Sequence, residues 1–299
     1  MFKENNPNYF YTQDGIRIFY NTNFSAEKLN PEKPVLVLIY GLLCSNNHYR
    51  YQIPFLEDQG YQILIHDYRF HYASSQDGDI ETCNFPNIAK DLHELLTFLN
   101  IKKTVFVGHS MGVNICLEHA HLYPEDVSGM VLISGTVVPP QDVMFDSNMV
   151  DIAAPYLKAF TEKYPELFKS FWLHSYKNPI AQFIIFDGGF NKKQVDMEFI
   201  QLYMKKISEL SENLFFHLLK LMHDHDIINH LETIKTPTLV VGGDKDKIIP
   251  NYLQRILTTK MPVSELYIVK DGSHVPQADF PELINQRLLR FIKKIEKLK

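Results

Sequence analysis

Apolar positions along this chain fall into two rhythms. Six short runs are almost continuously β-branched or leucine-rich: VLVLIYG from Val35, YQILIHDYR from Tyr61, TVFVG from Thr104, VSGMVLISG from Val127, TPTLVVGG from Thr236 and SELYIVK from Ser264. Runs of this kind are expected of strands buried on both faces of a parallel sheet. Between them the spacing becomes helical. In NIAKDLHELLTFLN, residues 87–100, the apolar positions Ile88, Leu92, Leu95, Leu96 and Leu99 share one helical face. Shorter helices are predicted over residues 49–59 and 250–259. Another follows TVFVG at once and runs to about Tyr123, before Pro124. Residues 280–299 form a closing amphipathic helix whose basic last turns suit its dipole. Near the start, YFYTQDGIRIFYNTNF places Asp14-Gly15 between two aromatic-rich runs, the signal of a hairpin.

Strand and helix in alternation, with strands of the buried type, imply an α/β fold: a mostly parallel sheet flanked by helices. The alternation stops over residues of about 139–233. Helical segments are predicted there at 149–158, 165–175 and 196–222, the last with Phe199, Leu202, Tyr203, Ile207, Leu210, Leu214, Leu218 and Leu221 at helical spacing. A single domain over residues 1–299 is therefore expected, with a helical cap inserted between two parts of one sheet. Trp172, Phe168 and Phe171 serve either as the cap's core or as a lining for substrate.

Composition narrows the classes. A hydrophobic share of 45% over 299 residues is enough to bury a sizeable core. A net charge of −5 provides no basic field, so nucleic acid is not an expected partner. The longest apolar run, residues 35–44, is too short to span a bilayer, and MFKENNPNYF lacks the basic-then-apolar order of a secretory signal. Cys44, Cys83 and Cys116 make neither a disulfide framework nor a zinc pattern. A cytoplasmic protein without membrane contact is the expectation. The HDHD stretch at 223–226 reads as a solvated helix terminus rather than a metal site.

Candidate chemistry centres on Gly108-His109-Ser110-Met111-Gly112. It follows a predicted strand and opens a predicted helix, the setting in which G-x-S-x-G exposes a nucleophilic serine on a sharp turn. A side chain at Gly108 or Gly112 would crowd that turn. A serine hydroxyl needs a base, and the base a carboxylate to orient it. Such groups lie at the carboxyl ends of the strands. After TPTLVVGG come Asp244 and Asp246; after SELYIVK come Asp271 and His274, giving the order Ser, Asp, His. His71 is a second candidate base, because it too follows a strand end. Attack on a carbonyl also needs oxyanion donors. One is the Met111 N–H at the start of the helix; the other should come from Gly41-Leu42-Leu43, after the first parallel strand.

DGIRIFY, IYGLL, HDYRFHYASS, GHSMG, PTLVVGGDKDKIIP and DGSHVPQADFPE together resemble the α/β-hydrolase superfamily, in its lipase, esterase and peptidase branch with a helical lid. The resemblance implies Ser110 as nucleophile, His274 as base and Asp246 rather than Asp244 as orienting acid. It also implies Leu42 and Met111 as oxyanion donors, with Gly41, Gly108 and Gly112 giving the backbone its room. Two departures stand out. Relatives usually carry His-Gly where this chain has Tyr40-Gly41, and Arg-Gly-His-Gly where it has Arg69-Phe70-His71-Tyr72. The implied activity is hydrolysis of a carboxylic ester through an acyl-enzyme, on a small apolar ester or similar acyl substrate, with no cofactor and no metal. Rivals on the same fold are an aminopeptidase (with Glu162, Glu166 or Asp187 to hold a substrate amine), a C–C hydrolase, an acyltransferase and a non-catalytic ligand-binding protein.

Overall fold

The β-branched runs form the middle of an eight-stranded sheet in a computed structural model that describes residues 8–139, 156, 159–179, 182–183, 186, 189–195 and 197–298. In chain order the strands are β1 (Asn8–Tyr11), β2 (Arg17–Thr22), β3 (Val35–Ile39), β4 (Gln62–His66), β5 (Thr104–His109), β6 (Val127–Ile133), β7 (Thr238–Gly243) and β8 (Ser264–Val269). Their order across the sheet is β1-β2-β4-β3-β5-β6-β7-β8. From β4 to β8 every pairing is parallel, while the β1–β2 hairpin joins antiparallel to β4. Gly15, at φ 84°, makes the hairpin turn.

All residues of β3, β4, β5 and β7 are buried, as continuous apolar runs require. β8 differs. It lies at the edge of the sheet, and only Val269 of its six residues is fully buried. Helices α1 (Gln52–Asp58), α2 (Phe85–Phe98) and α3 (Met111–Leu122) fall between the first parallel strands. Asn84 caps α2 by accepting the Asn87 N–H, which starts the helix earlier than its apolar periodicity suggests.

The cap contributes α4 (Pro165–Leu173), α5 (Met197–Ser208) and α6 (Glu212–Asp224). The single helix expected over residues 196–222 is broken in two. The first helix ends at Ser208, and Ser211 caps α6 by accepting the Asn213 N–H, a local signal that the apolar stripe crossing the break conceals. Most of the segment expected at 149–158 lies outside the described residues. Leu214, Leu218 and Met222 of α6 belong to the main core. Phe199, Ile200, Met204 and Ile207 of α5 make a separate cluster with Phe190, Val195, Val275 and Ala278. Trp172 packs against Phe215 at a ring separation of 5.1 Å and donates to the Leu210 carbonyl, so it holds α4 to α6 within the cap. After β7 come α7 (Tyr252–Lys260), a single turn α8 (Pro276–Asp279) and α9 (Pro281–Ile295). Among the described residues no helix is long and apolar enough to cross a membrane.

Candidate active site

Sheet order decides what can meet. β3 and β5 are neighbours with Ile39 opposite Gly108, so the turns that leave them lie side by side. β7 and β8 pair with Gly243 opposite Val269, which brings together the loops carrying Asp246 and His274.

Ser110 sits at φ 54° and ψ −122°, outside the regions open to most residues, between β5 and α3. The two glycines beside it have no room for a side chain. A Cβ on Gly108 would lie 2.5 Å from Cys116 Sγ and 2.7 Å from the Gly112 carbonyl oxygen, and one on Gly112 would lie 2.3 Å from the Ile39 oxygen. Gly41 is equally confined, because its Cβ would fall 2.8 Å from the Ser110 Cβ. The turn after β3 therefore packs directly on the serine, and Leu42 follows at once. The Met111 N–H opens α3, where helical geometry supplies no acceptor.

His274 Nε2 is 3.1 Å from Ser110 Oγ, and its Nδ1 is 3.0 Å from Asp246 Oδ2. An ionised carboxylate only accepts, so Nδ1 carries the proton and Nε2 presents a lone pair to the serine hydroxyl. The other Asp246 oxygen accepts the Ile248 and Ile249 amides at 2.9 and 2.8 Å, which fixes the buried carboxylate. Asp244 is exposed at the surface. His71 Nδ1 instead meets the Arg69 carbonyl at 2.9 Å. The HDHD stretch divides: His223 and Asp224 are exposed, whereas His225 Nε2 pairs with Glu118 at 2.9 Å and its Nδ1 meets Asn114.

Several residues packed around these three carry no sequence signal of their placement. His109, inside the motif, is fully buried, and its Nε2 lies 2.9 Å from the His274 carbonyl. His48 stacks on it at 4.8 Å. Burial and the nearby His274 hold the His48 imidazole down at about 3, so it is neutral. Asp279, in α8, accepts the Ser273 amide at 2.6 Å and the Asn191 amide at 3.2 Å. Ser273 Oγ donates to the Gly189 carbonyl, and the Asn191 side chain to the Asp271 carbonyl. The loop of His274 is thus stitched to the end of the cap that enters α5.

The two departures have a clear structural result. The Tyr40 ring packs on Tyr68, tilted by 32° at 4.3 Å, its hydroxyl donates to Asp67, and the Tyr68 hydroxyl donates to the Tyr40 carbonyl at 2.6 Å. Tyr72 donates to the Cys44 carbonyl at 2.6 Å, holding the turn that carries Leu42 from its far side. Burial raises Asp67 to about 6, against the lowering effect of the hydrogen bonds from Ala73 and Tyr40.

A family model for the alpha/beta hydrolase fold matches residues 34–281. The chain is 26% identical to an uncharacterised hydrolase, YugF, of Bacillus subtilis (strain 168), over 95% of this chain and 97% of that protein. It is 25% identical to a bifunctional esterase/perhydrolase of Acinetobacter calcoaceticus, over 95% and 99%. A solved structure of a thermophilic esterase from Thermogutta terrifontis covers 98% of this chain and 100% of that one with a TM-score of 0.74, at 18% identity. That last likeness is one of fold.

Proposed function

The chain belongs to the α/β-hydrolase fold family, and from that premise we propose that it is a serine hydrolase cleaving a carboxylic ester with an apolar acyl or alcohol group. The observation that carries this reading is the unbroken relay of 3.1 and 3.0 Å from Ser110 through His274 to Asp246. Ser110 Oγ attacks the ester carbon while His274 Nε2 takes its proton. The carbonyl electron pair moves to oxygen, where the Leu42 and Met111 amides receive the charge. Collapse breaks the bond to the leaving alkoxide, which takes the proton back from Nε2. Water, deprotonated by the same nitrogen, then releases the acid and restores the serine. Asp246 keeps the imidazole in the working tautomer throughout.

The apolar cluster of Phe190, Phe199 and Val275, which reaches the residue after His274, supports an apolar substrate. The aminopeptidase alternative gains little: Glu162 and Glu166 are exposed to solvent, and Asp187 lies outside the described residues. A panel of p-nitrophenyl esters of increasing acyl length, run beside aminoacyl amides, tests the proposal. Turnover of the esters, reduced by at least ~10³-fold in Ser110→Ala, is the expected result. Ester turnover that survives the substitution would remove Ser110 from its role. Turnover of the amides alone would favour the peptidase.

A further inference from the structure

Cys44, His48 and His109 lie beside the proposed machinery without taking part in it. All three are buried, and their donor atoms fall within 4.8 Å of one another. We propose that they form a binding site for a thiophilic cation of zinc's size, set between the oxyanion turn and the serine elbow.

The argument begins at His109. Its Nε2 faces a carbonyl oxygen, which can only accept, so Nε2 bears the proton. Nδ1 is then a bare lone pair, and it is buried with no hydrogen-bond partner. A buried acceptor left unpaired is costly in a protein interior. An imidazole that gives one N–H to a backbone carbonyl and offers the other nitrogen is also how metal-bound histidines are usually held. The spacing fits as well. With Zn–S of about 2.3 Å and Zn–N of about 2.0 Å, tetrahedral angles put sulfur and nitrogen ligands roughly 3.6 Å apart. Cys44 Sγ and His48 Nε2 are 3.7 Å apart. His109 offers the third donor atom, within 4.8 Å of the other two. A small cavity between α5 and the turn, lined by Ser45, Asn47, Phe199, Tyr203 and Lys206, reaches one of the three ligands, His48.

Binding is a proton exchange. The cation displaces the Cys44 thiol proton to solvent and is held by one thiolate and two neutral imidazoles. The complex carries one net positive charge beside His274, whose ring is 5.0 Å from that of His109. Such a charge opposes formation of the imidazolium in the first step, and the ligated Cys44 draws on the turn that bears Leu42. The site is therefore inhibitory, acting on kcat more than on KM; only this consequence rests on the hydrolase reading.

The test uses the full chain stripped by chelation and titrated with Zn²⁺ by calorimetry, and with Co²⁺ by absorption. One ion per chain, about one proton released and a thiolate-to-cobalt charge-transfer band are expected. Cys44→Ser should remove the band and weaken Zn²⁺ binding by about 100-fold or more. His48→Gln serves as a second variant should the first fail to fold. Absence of stoichiometric binding, or binding that survives both substitutions, overturns the proposal. So does binding abolished instead by Asp126→Asn, which would put the ion at the surface group His93, Glu125 and Asp126. These readouts do not depend on ester turnover, so they stand or fall separately from the proposed reaction.

Discussion

After β5 the chain turns through Ser110, at φ 54°, between two glycines. After β4 it turns through Phe70 at φ 64° and Tyr72 at φ 40° with no glycine beside them. Both turns visit backbone conformations that cost a side-chain-bearing residue about 1–2 kcal/mol each. At the elbow the surrounding backbone lies too close for any added Cβ, so glycine is required for space. At the second turn the cost is offset by what the side chains touch. The buried Phe70 ring covers Gly78, where a Cβ would meet it at 2.7 Å, and the Tyr72 hydroxyl holds the Cys44 carbonyl. One turn is built by removing atoms and the other by adding them, and the two meet at the turn after β3, which Gly41 packs on Ser110 and Tyr72 holds through the Cys44 carbonyl.

Substitutions that exchange the two solutions test this contrast. Gly108→Ala should have the largest effect. Its Cβ meets the Gly112 backbone at 2.7 Å as well as the Cys116 sulfur, so the elbow itself must shift. We expect stability to fall by several kcal/mol, ~3 or more, with loss of ester turnover in whatever remains folded. Denaturant unfolding beside the activity assay measures both. Phe70→Gly relieves a left-handed φ worth about 1 kcal/mol but loses a buried ring worth about 3–5 kcal/mol. A net loss of ~2–4 kcal/mol is expected. A stabilised variant would mean that the ring does not hold the turn.

Tyr72→Phe keeps the ring and removes one hydrogen bond, a change of about 1 kcal/mol. If that bond positions the oxyanion turn, kcat should fall several-fold while KM stays nearly constant. A loss of stability with unchanged kcat would reduce Tyr72 to a packing role.

The smallest effect concerns the titrating groups beneath the second turn. Burial holds His66 at about 3 and His71 at about 4 against 6.5 in the unfolded chain. Their folded pKa values are lowered, so the stability they contribute is complete above 6.5 and drains away as pH falls from there. Asp67 and Asp91, raised by burial from 3.8 to about 6, act with the opposite sign between pH 6 and 3.8. The histidine shifts are larger, so thermal stability should decline from pH 6.5 towards 4. His66 leaves both ring nitrogens without a partner, so His66→Leu should flatten that slope, as melting curves at pH 7 and 5 would reveal.

Much of this was legible in the sequence, for identifiable reasons. Buried parallel strands announce themselves because both faces must be apolar. The proposed chemistry is confined to strand ends, which singles out Ser110, His274 and the pair Asp244 and Asp246; only the family resemblance separates the two aspartates, and in the structure it is Asp246 that lies within hydrogen-bonding distance of His274. What escaped is long-range or local in a way that periodicity cannot register. SELYIVK reads like the central strands, yet β8 is an edge, since strand order is not written in composition. The break between Ser208 and Glu212 is hidden by an apolar stripe that continues across it. His109 hangs on a carbonyl 165 residues away, and Asp279 joins a cap amide to the loop of His274. Those partners are chosen by the fold and leave no spacing to read.

The central claim is that the glycine-flanked turn presents an activated serine. Its most direct test is to treat the wild-type chain with a fluorophosphonate and locate the adduct by peptide mass spectrometry. One adduct per chain on the peptide bearing Ser110, absent from Ser110→Ala and much slower to form in His274→Ala, is the predicted result. A folded wild-type chain that takes no label, or carries it on another residue, would contradict the account.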